Sequence, residues 1–244
     1  MIFYGFCSNF SLNFVQKKLN ETAAQGYNMR INHVFFDLDG TLTDSAEGIL
    51  NSVVHALDYF NLQLPQEELI SFIGPPLKDS FAPLFNNNQK MVETAIAKYR
   101  EYFSHRGIFE NRLYPGVTHM LQACSNAGLV LCLATSKPEP FALRILEYFK
   151  IRHFFQVAAG AELYGARSDK TAVLYYAHAL AGHPQQAACL MVGDRKHDVE
   201  GAHAVGMPCC GVLYGYGSQE ELIAAGVESM CATVEELQEF LLQP

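Results

Sequence analysis

Short apolar runs alternate with longer segments of helical periodicity from about residue 29 to the end of the chain. Apolar runs bounded by polar residues are typical of buried strands, and apolar residues three to four positions apart are typical of helices. The alternation predicts an α/β fold, a parallel sheet covered by helices on both faces. The predicted strands are 33–36, 129–134, 155–158, 189–192 and 209–212, and the predicted helices are 117–127, 140–149, 170–181, 199–205, 220–225 and 234–242.

About 90 residues separate the first two predicted strands, too many for a bare loop in a compact domain. The gap has apolar residues at helical spacing in four segments, 45–60, 67–72, 76–85 and 89–103. We therefore predict a helical cap domain over 44–113, inserted in a core domain made of 29–43 and 114–244. Residues 1–28 lack the pattern of a secretory signal, and we interpret them as an N-terminal extension without a catalytic part.

Composition limits the classes of function. The 17 Lys and Arg against 25 Asp and Glu leave a net charge of −8, so no nucleic acid polymer is expected as a partner. Seven cysteines without a CxxC pair argue against a zinc cluster or a secreted disulfide framework. No apolar run approaches the ~20 residues that span a bilayer. These features predict a cytoplasmic protein without membrane contact, but an acidic chain should repel an anionic substrate.

The clearest chemical motif is an apolar strand that ends in Asp-Leu-Asp-Gly-Thr. Asp37 and Asp39 come at the carboxyl end of this strand, where ligands bind in open parallel sheets. The chain can turn there so that one residue offers its side chain and the other its carbonyl oxygen. Such oxygen ligands suit Mg²⁺, so both are candidate metal ligands. Gly40 and Thr41, in the turn that follows, are candidate substrate contacts.

A second acidic pair follows the predicted strand 189–192, in the sequence Gly-Asp-Arg-Lys-His-Asp. Asp194 leaves the strand, and Asp198 comes four residues later near a helix start, so the two can face one side of a turn. Both are candidate metal ligands. Asp198 has a second interpretation as an N-terminal helix cap, and the sequence leaves that alternative open.

Two more predicted strand ends carry polar residues. Thr135 and Ser136 place hydroxyls and backbone N–H groups just before a helix, an arrangement that can hold a phosphate. Lys170 opens another helix, where a lysine is mildly unfavourable for the helix dipole, so a purely structural role is less expected. Lys137 is a rival for the cationic role and a candidate substrate contact. We favour Lys170 because Lys137 can point to solvent.

The order DLDGT, a strand ending in Thr-Ser, a lysine and GDxxxD resembles the haloacid dehalogenase (HAD) superfamily, and most of all its phosphoglycolate phosphatase-type members. The resemblance covers essentially all of 31–244. It implies a Rossmann-like sheet with the first strand central and a helical C1-type cap inserted after the first motif. It also implies a Mg²⁺-dependent phosphatase that hydrolyses a small-molecule phosphate monoester through an aspartyl phosphate.

The resemblance also gives each motif residue a role. Asp37 would be the nucleophile that attacks phosphorus, and Asp39 would protonate the leaving alcohol and then activate water. Thr135 would hydrogen-bond the phosphoryl oxygens, and Lys170 would neutralise the nucleophile and the transferring group. The implied metal ligands are Asp37, the carbonyl of Asp39, Asp194 and Asp198.

Asp39 favours phosphoryl transfer, because members that dehalogenate resemble the first motif without that residue. The mutase branch keeps both aspartates, so a phosphosugar mutase stays as an alternative. Here Lys170 is followed by Thr171, where many relatives have proline, which keeps Lys137 in contention. The sequence has no motif of a serine hydrolase, a P-loop nucleoside triphosphatase or a zincin. We take His197 and His203, beside the last motif, as incidental.

Substrate choice is expected to lie in the cap, which closes over the leaving group. Lys78, after a Gly-Pro-Pro turn, is a candidate contact for a second anion, with a solvated lysine as the alternative. Arg100, Arg106 and Arg112 are further candidates that the sequence does not rank. The predicted partner is a small phosphorylated metabolite, phosphoglycolate-like or a nucleoside 5′-monophosphate. A bound Mg²⁺ would offset the acidic charge at the site.

Overall fold

The computed structural model describes residues 31–163, 165 and 167–243, so the proposed extension 1–28 lies outside the described residues. Strands and helices alternate along most of this range. The strands are β1 (His33–Phe36), β2 (Thr43–Asp44), β3 (Arg112–Leu113), β4 (Val130–Pro138), β5 (Phe155–Ala161), β6 (Cys189–Gly193), β7 (Cys209–Val212) and β8 (Ser229–Cys231). The α-helices are α1 (Ala46–Asp58), α2 (Gln66–Ile70), α3 (Leu77–Phe81), α4 (Gln89–Tyr102), α5 (Val117–Asn126), α6 (Glu139–Tyr148), α7 (Lys170–Leu180), α8 (Lys196–Val205), α9 (Gln219–Ala225) and α10 (Val234–Leu241).

Six strands form one sheet in the order β5-β4-β1-β6-β7-β8, and every neighbouring pair runs parallel. β1 lies inside this sheet, between β4 and β6. The predicted α/β parallel-sheet fold with the first strand central is therefore confirmed. The sequence pattern missed β8, because three residues are too few to show a period.

The sheet has an apolar core on each face, as the side chains of β1 show. Val34 and Phe36 belong to one core and Phe35 to the other, and all three are fully buried. Successive side chains of a strand point to opposite faces, so a strand covered on both sides has to be apolar throughout. This explains why the strand reads as an unbroken apolar run.

The long gap after β1 contains helices α1 to α4, and a π-helical segment, Phe103–Gly107, continues α4. The predicted helix 76–85 is divided into α3 and a 3₁₀ turn, Pro83–Phe85. Pro83 causes this division, because proline has no N–H and its ring clashes with the carbonyl four residues before it. The two ends of the gap meet where β2 and β3 pair antiparallel, a contact too short to predict from the sequence.

Helix α8 begins at Lys196, three residues before its predicted start. The side chain of Asp198 accepts a hydrogen bond from the backbone N–H of Arg195 at 3.0 Å, which fixes the helix start. Within 31–243, apart from positions 164 and 166, no helix is long and apolar enough to cross a membrane.

Candidate active site

Three neighbouring strands bring predicted site residues to one edge of the sheet. Asp37 follows β1, Thr135 lies in β4 and Asp194 follows β6, and both β4 and β6 pair directly with β1. The backbone N–H of Asp37 donates to the carbonyl of Val192 at 2.9 Å, so the chain stays in register just past the strand. The expectation that these residues meet at the carboxyl edge of the sheet agrees with the structure.

Lys170 is buried in the first turn of α7. Its Nζ donates to Asp37 Oδ1 at 2.7 Å and to the carbonyl of Ala134 at 2.9 Å, and it pairs with Asp198 Oδ1 at 2.7 Å. Burial by itself would lower the pKa of Lys170, but Asp198 and Asp37 outweigh it and hold the pKa above its usual range. A permanently charged ammonium therefore lies between the two carboxylates.

Asp37, Asp194 and Asp198 form a buried cluster in which one carboxylate oxygen of each lies within 4.8 Å of the others. Burial is the main reason why the pKa of Asp194 is raised well above its ordinary value of 3.8, and the charges of Asp198 and Asp37 add to this rise. The pKa of Asp198 is also raised, first by burial and further by Asp37, although Lys170 opposes the shift. Burial and mutual repulsion therefore favour the protonated forms of these two carboxyl groups in the metal-free protein.

The donor atoms of this cluster fit a hard divalent cation. Mg²⁺ takes oxygen ligands at about 2.1 Å, so two oxygens on one ion lie at most about 4.2 Å apart. The three carboxylates are within a small adjustment of that spacing. A bound dication would also relieve the repulsion among the carboxylates, which adds to the effect of burial on their pKa values.

Asp198 caps helix α8 and also lies in the acidic cluster. Its Oδ2 accepts the N–H of Arg195 at the start of α8, which is a capping contact. Its Oδ1 pairs with Lys170, and the residue is 1% exposed within the acidic cluster. An acid that only capped a helix would not need to be buried against two other carboxylates.

Lys137 does not point to solvent, so that expectation is wrong. Its side chain is 5% exposed and its Nζ donates to Asp39 Oδ2 at 2.7 Å. The reason is that β4 continues to Pro138, beyond the predicted end at 134, and carries Lys137 along the sheet edge to Asp39. The two lysines therefore serve different aspartates. The side chain of Asp39 pairs with Lys137 outside the three-carboxylate cluster, which leaves its carbonyl as the predicted metal ligand.

The turn after Asp39 supports Asp194, and it contains Gly40 and Thr41, which were predicted as substrate contacts. Gly40 has φ +85°, and a Cβ there would collide with the carboxylate of Asp194. The Thr41 hydroxyl donates to Asp194 Oδ1 at 3.5 Å. Both residues lie beside the acidic cluster and outside the wall of the cavity described below.

Sequence reasoning missed the loop after β7, which holds Asp194 from the other side. The backbone N–H of Tyr216 donates to Asp194 Oδ2 at 2.7 Å. Gly215 is so close to the carbonyl of Gly40 and to Asp194 that a side chain there would overlap both. The Tyr-Gly-Tyr-Gly repeat at 214–217 was the available signal, because paired glycines allow close backbone approach.

A cavity of about 290 Å³ opens above the sheet edge. Its floor includes Asp37, Asp39, Asp198 and both lysines. Helices α1 and α4 and the loop before α3 line its opposite side. Ser136 and Lys78, both predicted substrate contacts, lie on the wall, with Lys78 exposed at the rim. The polar and aromatic residues on the wall include Asp37, Asp39, Thr135, Ser136, Lys137, Lys170, Lys78, Tyr99, Arg100, Phe103, Arg195 and His197.

The structure separates the three arginines that the sequence left unranked, and it also separates the two histidines that were taken as incidental. Arg100 lines the cavity, whereas Arg112 pairs with Asp44 at 2.7 Å and Arg106 lies elsewhere on the surface. His197, taken as incidental, lies on the cavity wall. Its position one residue before the buried Asp198 was the signal that could have found it. His203 pairs with Glu228 at 2.9 Å, away from the cavity.

Arg195 connects the sheet edge to the helices above it. Its Nη1 donates to the carbonyl of Ile73 at 2.5 Å, and its Nε donates to Glu221 Oε1 at 2.9 Å. Arg195 directly follows Asp194 in the chain and lines the cavity. One guanidinium thus ties the loop before α3 to α9, next to the acidic cluster.

Replacing Arg195 with Ala is expected to lower kcat/KM about tenfold, because a charge-assisted hydrogen bond contributes about 1.5–3 kcal/mol and here helps to close the cavity. Steady-state kinetics on any substrate that the protein turns over measures the loss. Arg106→Ala, an exposed arginine outside the cavity wall, is the matched control. Equal kcat/KM for the two variants would show that the contact with Ile73 has no part in turnover.

Comparison with known proteins identifies a family and several named relatives. A family model described as haloacid dehalogenase-like hydrolase matches residues 34–212. The chain is 39% identical to the 5′-nucleotidase of Pseudomonas aeruginosa, over 87% of this chain and 96% of that protein. It is 42% identical to the tyrosine-protein kinase PtkA of Mycobacterium tuberculosis, over 85% of this chain and 72% of that protein. It is 33% identical to the phosphoglycolate phosphatase of Haemophilus influenzae, over 78% of this chain and 88% of that protein.

Solved structures extend the likeness to three dimensions. The crystal structure of a predicted phosphatase from Clostridium acetobutylicum superposes with a TM-score of 0.84 at 42% sequence identity. The match covers 87% of this chain and 99% of that chain.

Proposed function

The chain belongs to the haloacid dehalogenase-like hydrolase family and is a phosphatase of that family, and from this premise we propose its reaction: Mg²⁺-dependent hydrolysis of a small phosphate monoester through an aspartyl phosphate. The observation that carries the proposal is the position of Asp37. Its carboxylate contacts the buried Lys170, lies in the acidic cluster and faces the cavity. A nucleophile needs such charge compensation beside an anionic phosphoryl group.

In the first half-reaction, Asp37 attacks phosphorus and the bond to the ester oxygen breaks. The leaving alkoxide takes a proton from Asp39, which comes two residues after Asp37 and lies on the cavity wall. The Thr135 hydroxyl and nearby backbone N–H groups hydrogen-bond the phosphoryl oxygens. The products are the free alcohol and a phosphorylated Asp37.

In the second half-reaction, Asp39 takes a proton from a water that attacks the phosphorus of the aspartyl phosphate. The bond to Asp37 breaks, so inorganic phosphate leaves and the carboxylate is restored. The same residue acts first as acid and then as base, as the two opposite proton transfers require. Lys170 stays charged throughout and neutralises Asp37 whenever its carboxylate is free.

We assign the metal site to Asp37, Asp194, Asp198 and the carbonyl of Asp39. Mg²⁺ bound there would supply electrostatic stabilisation of the phosphoryl oxygens and would neutralise the acidic cluster. Thr41 and the N–H of Tyr216 orient Asp194 for this task. Carboxylates neutralised by a bound Mg²⁺ would not repel an anionic substrate, so the acidic net charge of the chain is compatible with a phosphate ester.

The proposed substrate is a small phosphorylated metabolite, with residues 44–113 as the cap that selects it. A cavity of about 290 Å³ is of the size that holds a small molecule. Lys78 at the rim and Arg100 on the wall could meet a second polar group of the substrate. Relatives named 5′-nucleotidase and phosphoglycolate phosphatase support a nucleoside 5′-monophosphate or a phosphoglycolate-like ester.

A panel of phosphate monoesters ranked by kcat/KM, with and without Mg²⁺, tests the proposal. The panel includes phosphoglycolate, nucleoside 5′-monophosphates, a hexose 1-phosphate and an aryl phosphate. Release of inorganic phosphate that requires the metal is expected. Isomerised hexose phosphate without phosphate release would favour the mutase alternative. Transfer of phosphate from ATP to a tyrosine peptide, in place of hydrolysis, would favour a tyrosine kinase activity. That is the activity for which the 42% identical relative PtkA is named.

Replacing Lys170 with Met is expected to lower kcat about 10³-fold, because a preorganised positive charge at the reacting group is lost. It should also destabilise the metal-free protein by about 3–5 kcal/mol, since Asp37 and Asp198 lose their buried cation. Turnover and the free energy of unfolding measure the two effects. If Lys137→Met abolished all turnover while Lys170→Met did not, the roles of the two lysines would be reversed.

A further inference from the structure

Lys137 and Asp39 form a buried ion pair on the cavity wall. The Nζ of Lys137 lies 2.7 Å from Asp39 Oδ2, and the two side chains are 5% and 12% exposed. The other oxygen, Asp39 Oδ1, is buried and has no hydrogen-bond partner among the described residues. The ammonium thus holds one oxygen of the carboxyl group and leaves the second available to a ligand.

The same ammonium contacts the helical segment above the cavity. Lys137 Nζ lies 4.6 Å from the ring centroid of Phe103, a distance at which cation–π attraction operates. Phe103 starts the π-helical segment after α4, and its ring stacks on Tyr99 at 5.4 Å between centroids. Segments of π-helix often occur at functional sites. Lys137 is therefore in contact with the sheet edge and with the cavity roof at once.

We propose that Lys137 is a positioning residue, which orients Asp39 for proton transfer with the leaving group and is itself held in place by the ring of Phe103. This positioning role rests on the proposed phosphatase reaction. In that reaction Asp39 gives a proton to the alkoxide through one oxygen, so the carboxyl group must be kept in one rotamer. Because Lys137 holds Oδ2, the Asp39 side chain keeps one rotamer and Oδ1 keeps one direction. Since Lys137 also contacts the Phe103 ring, that direction depends on the position of the helical segment above the cavity.

The alternative is that Lys137 binds the phosphoryl group directly, which its place on the cavity wall also allows. The two roles respond differently to the leaving group. A residue that acts through the general acid matters most when the leaving alcohol is weakly acidic, because such an alkoxide needs the proton. A phosphoryl ligand contributes equally whichever alcohol leaves.

The experiment measures kcat/KM for wild type and Lys137→Met on 4-nitrophenyl phosphate, phenyl phosphate and an aliphatic phosphate ester. For a reaction through a covalent intermediate, kcat/KM covers only the steps up to alcohol release, so the second half-reaction does not enter. We expect a loss of about 10²-fold for the aliphatic ester and of a few-fold at most for the nitrophenyl ester. Lys137→Arg should restore part of the loss on the aliphatic ester.

Phe103→Leu tests the roof contact and leaves the ion pair intact. A smaller loss with the same dependence on the leaving group is expected. Phe85→Leu is the matched control, because Phe85 in the 3₁₀ turn Pro83–Phe85 is also a buried aromatic between β1 and β4 and does not line the cavity. If Phe103→Leu behaved like this control, the role of the ring would be overturned. Should Lys137→Met fail to fold, Lys137→Arg and Phe103→Leu still give the leaving-group dependence.

An equal loss on all three esters would overturn the positioning role and assign Lys137 to the phosphoryl group. Unchanged kinetics of Lys137→Met would overturn it as well. Failure of the proposed function looks different, since the wild-type protein would then release no phosphate from any ester.

Discussion

Replacing Asp37 with Asn is expected to lower kcat for phosphate release by at least about 10⁴-fold. Asn has nearly the same shape as Asp, but its amide has no anionic oxygen to attack phosphorus. The loss should not come from unfolding, because the substitution removes one of three crowded carboxylates and Lys170 keeps its pair with Asp198. Initial rates of phosphate release and the thermal midpoint measure the two quantities separately.

Asp58→Asn is the control for this variant, because Asp58 is an exposed aspartate at the end of α1 and does not line the cavity. It should keep wild-type turnover. Intact-mass measurement after acid quenching should detect a phosphorylated chain in the wild-type protein and none in Asp37→Asn. Turnover by Asp37→Asn within tenfold of wild type would exclude Asp37 as the nucleophile.

Addition of Mg²⁺ to the metal-free protein is expected to raise the thermal midpoint by about 5–10 °C at a hundredfold excess over the dissociation constant. This follows from a linkage contribution of about 2.7 kcal/mol and a shift of about 2–4 °C per kcal/mol for a chain of this size. Asp194→Asn should abolish most of the shift, whereas Asp79→Asn, an exposed aspartate on α3, should keep it. An equal shift in both variants would place the metal elsewhere.

The gain in midpoint should also depend on pH. The pKa values of Asp194 and Asp198 are raised in the folded metal-free protein, so between their ordinary value of 3.8 and the raised values the folded state binds more protons than the unfolded chain. Stability of the metal-free protein therefore falls as pH rises through that window. Mg²⁺ must displace those protons at low pH. The gain should be larger at about pH 8 than at about pH 5, and an equal gain would contradict this.

Most of the sheet could be predicted from the sequence, because its strands are buried on both faces. Val34, Phe35 and Phe36 have to be apolar whichever face they cover, and this gives an unbroken run that the chain shows directly. The motif residues were predicted to meet because the carboxyl ends of parallel strands share one edge. The short strands β2, β3 and β8 could not be predicted, since two or three residues show no period.

Sequence by itself determined which acidic residues gather at the edge, because each of them directly follows or caps an element that the apolar pattern defines. Only the tertiary structure decided which lysine pairs with which aspartate. Lys137 and Lys170 both follow predicted strand ends, and their sequence positions do not distinguish a solvated side chain from a buried one. Packing of β4 and α7 sets one against Asp39 and the other against Asp37. These pairs join residues 98 and 133 positions apart, and local sequence carries no record of such contacts.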